Sequence, residues 1–522
     1  MKIRLVQFNP VVGDVRGNGA RIAEAVREAE KAGAGVTVFP QMALSGNPTG
    51  DLVWRPAFME AVQEELQRLR EVLPQGMPVV LGTPLRGQTG VGAAAVVFEG
   101  GRMHVVGREE SIVADGIRIG FADGDVWGQG WAEWDGGREG KRMEGESADV
   151  LLRLEARVYL RGHEEEGEAL ARKAAKNAKV PVLGVNLSGA QDGLVFDGAA
   201  VAVGADGEVK ARSGLFGEGA LDVEVEKGGG IAGGVAPVPE ELEAVYAALV
   251  TGIRDYALKN HFPGALIALS GGIDSALVAA LAVDALGPER VMGVTLPSTV
   301  TSSETLDDAL DLARRLGIPC LRIPIAPAVD AVLGMLEPAF ASVDWAKPLP
   351  GTLVEENLQA RVRGVVAMAL SNRYGHLVLS TGNKSESSTG YATLYGDMCG
   401  GFAPIKDVPK TLVFELARWR NRRGEVIPPS TIARPPSAEL RPGQKDTDSL
   451  PPYDVLDPVL ERFMDGRESV ADLVASGVPG DVARRVARLV VRSEYKRRQA
   501  APGVTLSAER WRMPVTDGFD AW

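Results

Sequence analysis

Cysteine is absent from the first 319 residues, since the chain's two cysteines are Cys320 and Cys399. That excludes a disulfide framework and a cysteine-rich metal site, and it points to a reducing compartment. Histidine is equally sparse. His104, His163, His261 and His376 stand far apart, none at zinc-ligand spacing from another or from cysteine, so they read as surface or packing residues. No lysine occurs between Lys31 and Lys141. No apolar run approaches the roughly 18 residues of a membrane span, and the opening MKIRLVQFNPVVGD alternates like a strand, without the apolar stretch of a signal peptide. Positive charge is in deficit. A net charge of −12 excludes a protein that coats nucleic acid and offers no basic surface to a membrane. A globular, cytoplasmic protein remains.

At about 100–200 residues per domain, such a length suggests two or three domains. The clearest seam is EKGGGIAGGVAPVPEE, residues 226–241, a Gly/Pro-rich stretch between a strand pattern and a helix pattern. The division expected is 1–227, a linker at 228–239, and 240–522. In the first part, strand-like segments such as IRLVQFN, VTVFP, PVVLGTP and VLLRLEA alternate with helical periods near Gly19–Ala32, Ala57–Val72 and His163–Lys179, which suggests a layered α+β sandwich. The second part alternates regularly: strand ALIAL, helix Ser275–Leu286, strand VMGVTL, helix Glu304–Leu316, strand CLRIPI, helix Pro327–Phe340, a long helix Leu353–Tyr374 and strand HLVLS. That is a doubly wound α/β domain, whose ligands sit beyond the carboxyl ends of its strands.

Two loops leave such ends, Ser270–Ser275 and Ser380–Glu386. The first reads SGGIDS and opens a helix. Gly271 and Gly272 let backbone amides approach phosphate oxygens, and the helix N-terminus adds partial positive charge. Ser270 and Ser275 add hydroxyls. Asp274 is out of place in an anion site unless it holds a cation, and Mg²⁺ on a phosphate chain supplies that reason.

SGGIDS resembles the pyrophosphate loop of ATP pyrophosphatases. The segments EENLQARVRG (355–364), STGNKSESSTGYATLYGD (380–397), GGFAPIKDVPKTLVFELARWRN (400–421), ARPPSAELRPGQKDTDSLPPYDVLD (433–457) and SEYKRRQ (493–499) resemble, in order and spacing, the synthetase domain of glutamine-dependent NAD synthetases. The resemblance implies a carbon–nitrogen ligase that adenylylates deamido-NAD with ATP and Mg²⁺, releases pyrophosphate, and passes the activated carboxyl to ammonia. It implies Asp274, Glu386 and Lys410 as catalytic residues, with Asp274 and Glu386 on the metal. It assigns Ser270, Gly271, Gly272, Ile273, Asp274, Ser275, Thr381, Lys410 and Ser437 to ATP, and Asn357, Arg361, Glu386 and Lys496 to deamido-NAD. The chain departs from its relatives in LPSTVTSSET, where a basic residue near Thr299 is common.

The first part resembles the nitrilase-like glutaminase domain of the same enzymes, an α-β-β-α sandwich, through FPQMALSGNPTGDLVWRPAF (39–58), GIRIGFADGDVW (116–127), GHEEEGEALARKAAKNAKVPVLGVN (162–186) and GAQDGLVFDGAAVAVGADGEV (189–209). That family cleaves amides with a Glu, Lys, Cys triad. Here Gln41 stands where the acid belongs, and an amide is no general base. Asp123, or Gly124, stands where the sulfur belongs, and the lysine-bearing loop looks shortened around GREESIVADG. The expected enzyme therefore takes free ammonia and keeps the first domain as scaffold in a homo-oligomer. Alternatives are ammonia from a separate glutaminase and a silent nucleotide-binding regulator.

Overall fold

The computed structural model describes residues 1–87, 90–106, 111–122, 148–343, 347 and 353–507. The chain divides into two compact units, Met1–Ala248 and Leu249–Trp522, and each is described by itself.

In the first unit the strands are β1 Lys2–Gln7, β2 Val36–Val38, β3 Val79–Arg86, β4 Val91–Glu99, β5 Arg102–Val106, β6 Ser111–Ala114, β7 Ile117–Phe121, β8 Val150–Leu154, β9 Val182–Val185, β10 Ser188–Gln191, β11 Leu194–Asp197, β12 Val201–Val203, β13 Val209–Arg212, β14 Gly219–Val225 and β15 Ile231–Gly233. The helices are α1 Val15–Lys31, α2 Pro56–Val72 and α3 Glu166–Ala178. One sheet runs β15-β14-β1-β2-β3-β4-β5 and another β13-β12-β9-β8-β7-β6. Strand alternation builds the layers. Ile3, Leu5, Val36, Val38 and Val80 meet Ile119, Val150, Leu152 and Leu183 between the sheets. Val6, Val79, Leu81 and Val96 face α1 and α2 through Ile22, Val26, Val62, Leu66 and Leu69. Leu151, Val182, Val201 and Val203 face Ala171 and Ala175 of α3. The result is a four-layer α-β-β-α sandwich.

Two details differ from the sequence reading. The Gly/Pro-rich stretch is partly strand, because β15 pairs antiparallel with β14, and the unit boundary falls within the helix Glu241–Lys259 (α4). Glycine still offers its N–H and C=O to a sheet edge, so composition alone did not reveal the pairing. Around GREESIVADG, the described residues form a hairpin, β6 to β7. Its Asp115-Gly116 turn has φ of 48° and 75°, the positive values that a two-residue hairpin turn demands.

The second unit carries strands β16 Ala265–Ala268, β17 Val291–Thr295, β18 Cys320–Arg322 and β19 Leu377–Leu379, all parallel, in the order β18-β17-β16-β19. Its helices are α5 Ile273–Leu286, α6 Ser303–Leu316, α7 Ala326–Ser342, α8 Leu353–Tyr374, α9 Lys384–Thr389, α10 Lys410–Asn421, α11 Pro429–Ala433, α12 Tyr453–Leu460, α13 Val470–Ala475, α14 Gly480–Arg492 and α15 Glu494–Arg497. The chain winds outward from β16 to β18, then returns to place β19 on the other side of β16. Strand order therefore reverses between β16 and β19, the switch point at which such sheets open a crevice. Among the described residues no helix is long and apolar enough to cross a membrane.

Candidate active site at the switch point

Both motif loops leave the strands that flank the switch point. Ser270–Ser275 follows β16, and the loop after β19 runs into α9. They line one cavity of about 280 Å³, together with residues of α8, α10 and the loop after α11. Ser270, Gly272, Ile273, Asp274, Ser275, Thr381, Glu386, Lys410 and Ser437 all line it. Gly271 is the one member of the SGGIDS string that does not, and its φ of +80° is a left-handed value suited to glycine. Ser275 Oγ donates to the Gly272 carbonyl at 3.0 Å and lies 3.1 Å from Ser270 Oγ, which closes the loop on itself.

At the cavity floor Lys410 Nζ donates to Asp274 Oδ2 at 2.6 Å and to Glu386 Oε1 at 2.8 Å. Residues from three separate elements, α5, α9 and α10, thus converge on one point. Lys410 is buried. Desolvation works against its charge, but the two carboxylates outweigh it and raise its pKa. The Glu386 carboxyl is pushed up to about 8, chiefly by desolvation and also by Asp274, against the pull of Lys410. Among the described residues no group of three or more His, Cys, Asp or Glu side chains gathers to hold a metal. A cation here would draw on the Asp274–Glu386 pair, whose oxygens suit a hard divalent ion.

Sequence reading took 380–386 as loop throughout, whereas α9 starts at Lys384. Asn383 caps it, its Oδ1 accepting from the Glu386 N–H at 3.0 Å while its Nδ2 donates to Asp274 Oδ1 at 2.9 Å. Asn383 therefore ties the Asp274 carboxylate to the first turn of α9, which carries Glu386, a role missed although Asn-x-x-Glu is a helix-start signature. Also missed were Lys384, whose ammonium is buried between Asp407 and Asp465 at 2.8 and 2.7 Å, and Asp457. The latter accepts from Ser385 Oγ at 2.5 Å and from the Thr411 N–H at 2.9 Å, while Ser385 Oγ accepts from the Lys410 N–H. These ties lock α9 to α10. No local pattern announces partners so far apart in the chain.

Asn357, Arg361 and Lys496 do not line the cavity; all three hold one segment beside it. Asn357 Oδ1 accepts from Thr393 Oγ1 at 2.9 Å, Arg361 Nε donates to the Leu394 carbonyl, and Lys496 Nζ donates to the carbonyls of Gly390 and Ala392 at 2.7 and 2.6 Å. Desolvation and the nearby Arg361 lower the Lys496 pKa, against the pull of Asp397. Two cations beside one cavity edge suit a phosphate-bearing ligand.

In the first unit Gln41 is buried just beyond β2. With its amide turned to satisfy both atoms, its nitrogen donates to the Ala94 carbonyl at 3.3 Å and its oxygen accepts from the Ala94 N–H at 3.1 Å. A carboxylate cannot make the first of these bonds. Asp123 lies outside the described residues. At the carboxyl ends of β8 and β9 sits a buried ionic cluster. Arg153 pairs with Glu155 at 2.7 Å, and Arg157 pairs with Glu155 at 3.3 Å and Asp197 at 2.9 Å. Asn186 donates to Asp197. Asp197 and Glu155 keep Arg157 protonated despite desolvation. Replacing Arg157 with Met would leave these acids buried without that cation. Guanidinium chloride unfolding is expected to register a loss of about 3–5 kcal/mol, the usual cost of breaking a buried pair; a loss below about 1 kcal/mol, typical of a surface pair, would contradict it.

Both thiols, Cys320 and Cys399, lie in the second unit, and burial pushes both up.

Residues 245–500 match the family model described as NAD synthase. A glutamine-dependent NAD(+) synthetase of Synechocystis sp. is 39% identical over 99% of this chain and 99% of its own length. One from Xanthomonas campestris is 40% identical over 99% and 98%. The structure of glutamine-dependent NAD+ synthetase from Acinetobacter baumannii in complex with ADP matches with a TM-score of 0.75 at 34% identity, covering 100% of this chain and 99% of that one. A glutamine-dependent NAD(+) synthetase structure from Cytophaga hutchinsonii gives 0.79 at 18% identity over 99% and 98%, a likeness of fold alone.

Proposed function

The chain belongs to the glutamine-dependent NAD(+) synthetase family, and from that premise we propose that it amidates deamido-NAD to NAD with ATP, taking its nitrogen as free ammonia. The observation that carries the first half is the convergence of Asp274, Glu386 and Lys410 beside the Ser270–Ser275 loop. A free carboxylate is a poor electrophile. Its oxygen attacks the α-phosphorus of ATP, pyrophosphate departs, and ammonia displaces AMP from the resulting acyl adenylate. The loop amides and hydroxyls hold the β- and γ-phosphates. Lys410 offsets charge growing on the departing pyrophosphate, preorganised by its buried position. Asp274 and Glu386 would hold Mg²⁺, which supplies charge neutralisation and alignment. Thr381 and Ser437 close the ATP side, and Asn357, Arg361 and Lys496 support the deamido-NAD side through the 390–394 segment. The test is pyrophosphate release with Mg·ATP and ammonia that depends on deamido-NAD. Release that ignores deamido-NAD, or none at all, would favour the regulatory reading.

The nitrogen source rests on the first unit. No cysteine precedes Cys320, and thiolate attack on an amide needs sulfur with a base beside it. Gln41 carries backbone hydrogen bonds in place of that base. The family's glutamine dependence favours one variation, in which a separate glutaminase delivers the ammonia.

The enzyme assembles through its synthetase unit. Met335 and Phe340 on α7 and Leu353, Val354, Val365 and Met368 on α8 are exposed, Met335 at 76% and Val365 at 68%. Apolar faces of this kind mark interfaces, and a second copy is the proposed cover. Val365→Glu together with Met368→Glu is expected to lower the mass seen by light scattering to that of a monomer. An unchanged mass would place the contact elsewhere.

A further inference from the structure

We propose that Arg434 is a positioning residue for the phosphate loop, acting on ATP through the Gly271 carbonyl that it holds. The proposal rests on the reading that Ser270–Ser275 holds the β- and γ-phosphates. Gly271 is pressed against α6: a Cβ on it would lie 2.1 Å from the Thr305 carbonyl oxygen. Its own carbonyl accepts from Arg434 Nη1 at 3.1 Å. The other terminal nitrogen of Arg434 donates to Asp308 Oδ2 on α6, and Asp308 Oδ1 accepts from Ser430 Oγ of α11 at 2.6 Å. One guanidinium therefore bolts the loop, α6 and the end of α11 together.

The effect on the cavity follows from peptide geometry. In a trans peptide the C=O and the next N–H point in opposite directions. Anchoring the Gly271 oxygen on the α6 side turns the Gly272 N–H away from it, to the side where it meets Ser270 Oγ at 3.2 Å. Ser270, Gly272 and Arg434 line the cavity and Gly271 does not, so the Gly271 carbonyl is held on the α6 side while the Gly272 amide stays on the cavity side of the loop. A glycine pair has the most backbone freedom to lose on ordering. Holding it in advance removes that cost from ATP binding. The Asp308 carboxylate neutralises the guanidinium, which suits an anchor better than a phosphate ligand.

A direct phosphate contact and an anchor predict opposite signs for Asp308→Asn. Freeing Arg434 from its carboxylate would strengthen a direct contact and weaken an anchor. Titration calorimetry of the full-length protein with ATP and, separately, AMP reads the difference. Arg434→Gln is expected to weaken ATP by about tenfold or more, the scale of losing a hydrogen bond to a charged group, and to leave AMP unchanged. Asp308→Asn is expected to weaken ATP as well. In turnover, KM for ATP rises while kcat at saturating ATP holds. Should Asp308→Asn tighten ATP, or Arg434→Gln lower kcat with KM unmoved, the anchor role is wrong. A loss of ATP affinity equal to the loss for AMP would overturn it too. If Arg434→Gln does not fold, the sign for Asp308→Asn still decides. Equal ATP and AMP affinities in the unsubstituted protein would sink the phosphate-loop reading itself, and this proposal with it.

Discussion

Supplied with Mg·ATP, deamido-NAD and ammonium, the purified protein is expected to form NAD steadily; with glutamine as the only nitrogen source, the rate is expected to fall by about three orders of magnitude or more, the scale on which loss of a catalytic nucleophile acts. The cause is the absent thiolate. A serine or water in its place lacks both the carboxylate base and the lysine of the triad. Asp123→Cys alone should not restore glutamine use, because Gln41 still cannot accept a proton. Turning Gln41 into Glu would trade the donor to the Ala94 carbonyl for a second acceptor facing it, an unfavourable contact in a buried place. The measurement is NAD formed, with glutamate released from glutamine followed in parallel. Glutamate release that keeps pace with NAD formation would show a working amidase and defeat the ammonia reading.

Asp274→Ala and Glu386→Ala are each expected to lower deamido-NAD-dependent pyrophosphate release by about a thousandfold, as for other preorganised electrostatic groups. Either change removes a proposed metal ligand and one of the two acceptors that hold Lys410. The two effects would reinforce each other: the ammonium would lose one of its two carboxylate partners, and a bound Mg²⁺ would lose one of its two proposed carboxylate ligands. Glu386→Gln offers a finer comparison. It keeps the size and a hydrogen-bond acceptor for Lys410 but loses the charge, so activity should remain low while thermal stability is largely retained. Pyrophosphate release within tenfold of the unsubstituted protein in Asp274→Ala would move the chemistry to other residues.

The site was legible wherever its chemistry is written in contiguous residues. SGGIDS reads as the proposed phosphate loop because glycine freedom, hydroxyls and a helix start coincide within six positions. The two carboxylates could be named from their motifs, and the switch-point cavity from the βα rhythm. Arg434, Asn383 and Asp457 could not be found in the same way, because their partners lie 163, 109 and 72 residues away. Asn357, Arg361 and Lys496 were named together, but only the structure shows them gripping one segment rather than lining the cavity.

By itself the sequence determined that a thiol is missing from the first unit, that two kinds of layered α/β unit follow one another, and that a Gly-Gly turn opens α5. Composition and short-range periodicity are sufficient for these, since each depends on residues close together in the chain. Tertiary structure decided which charges neutralise one another, where the Gly271 carbonyl is held, and that a glycine-rich seam partly becomes strand. Those outcomes depend on burial and on partners brought together by packing, and a buried charge has no stable state until such a partner arrives.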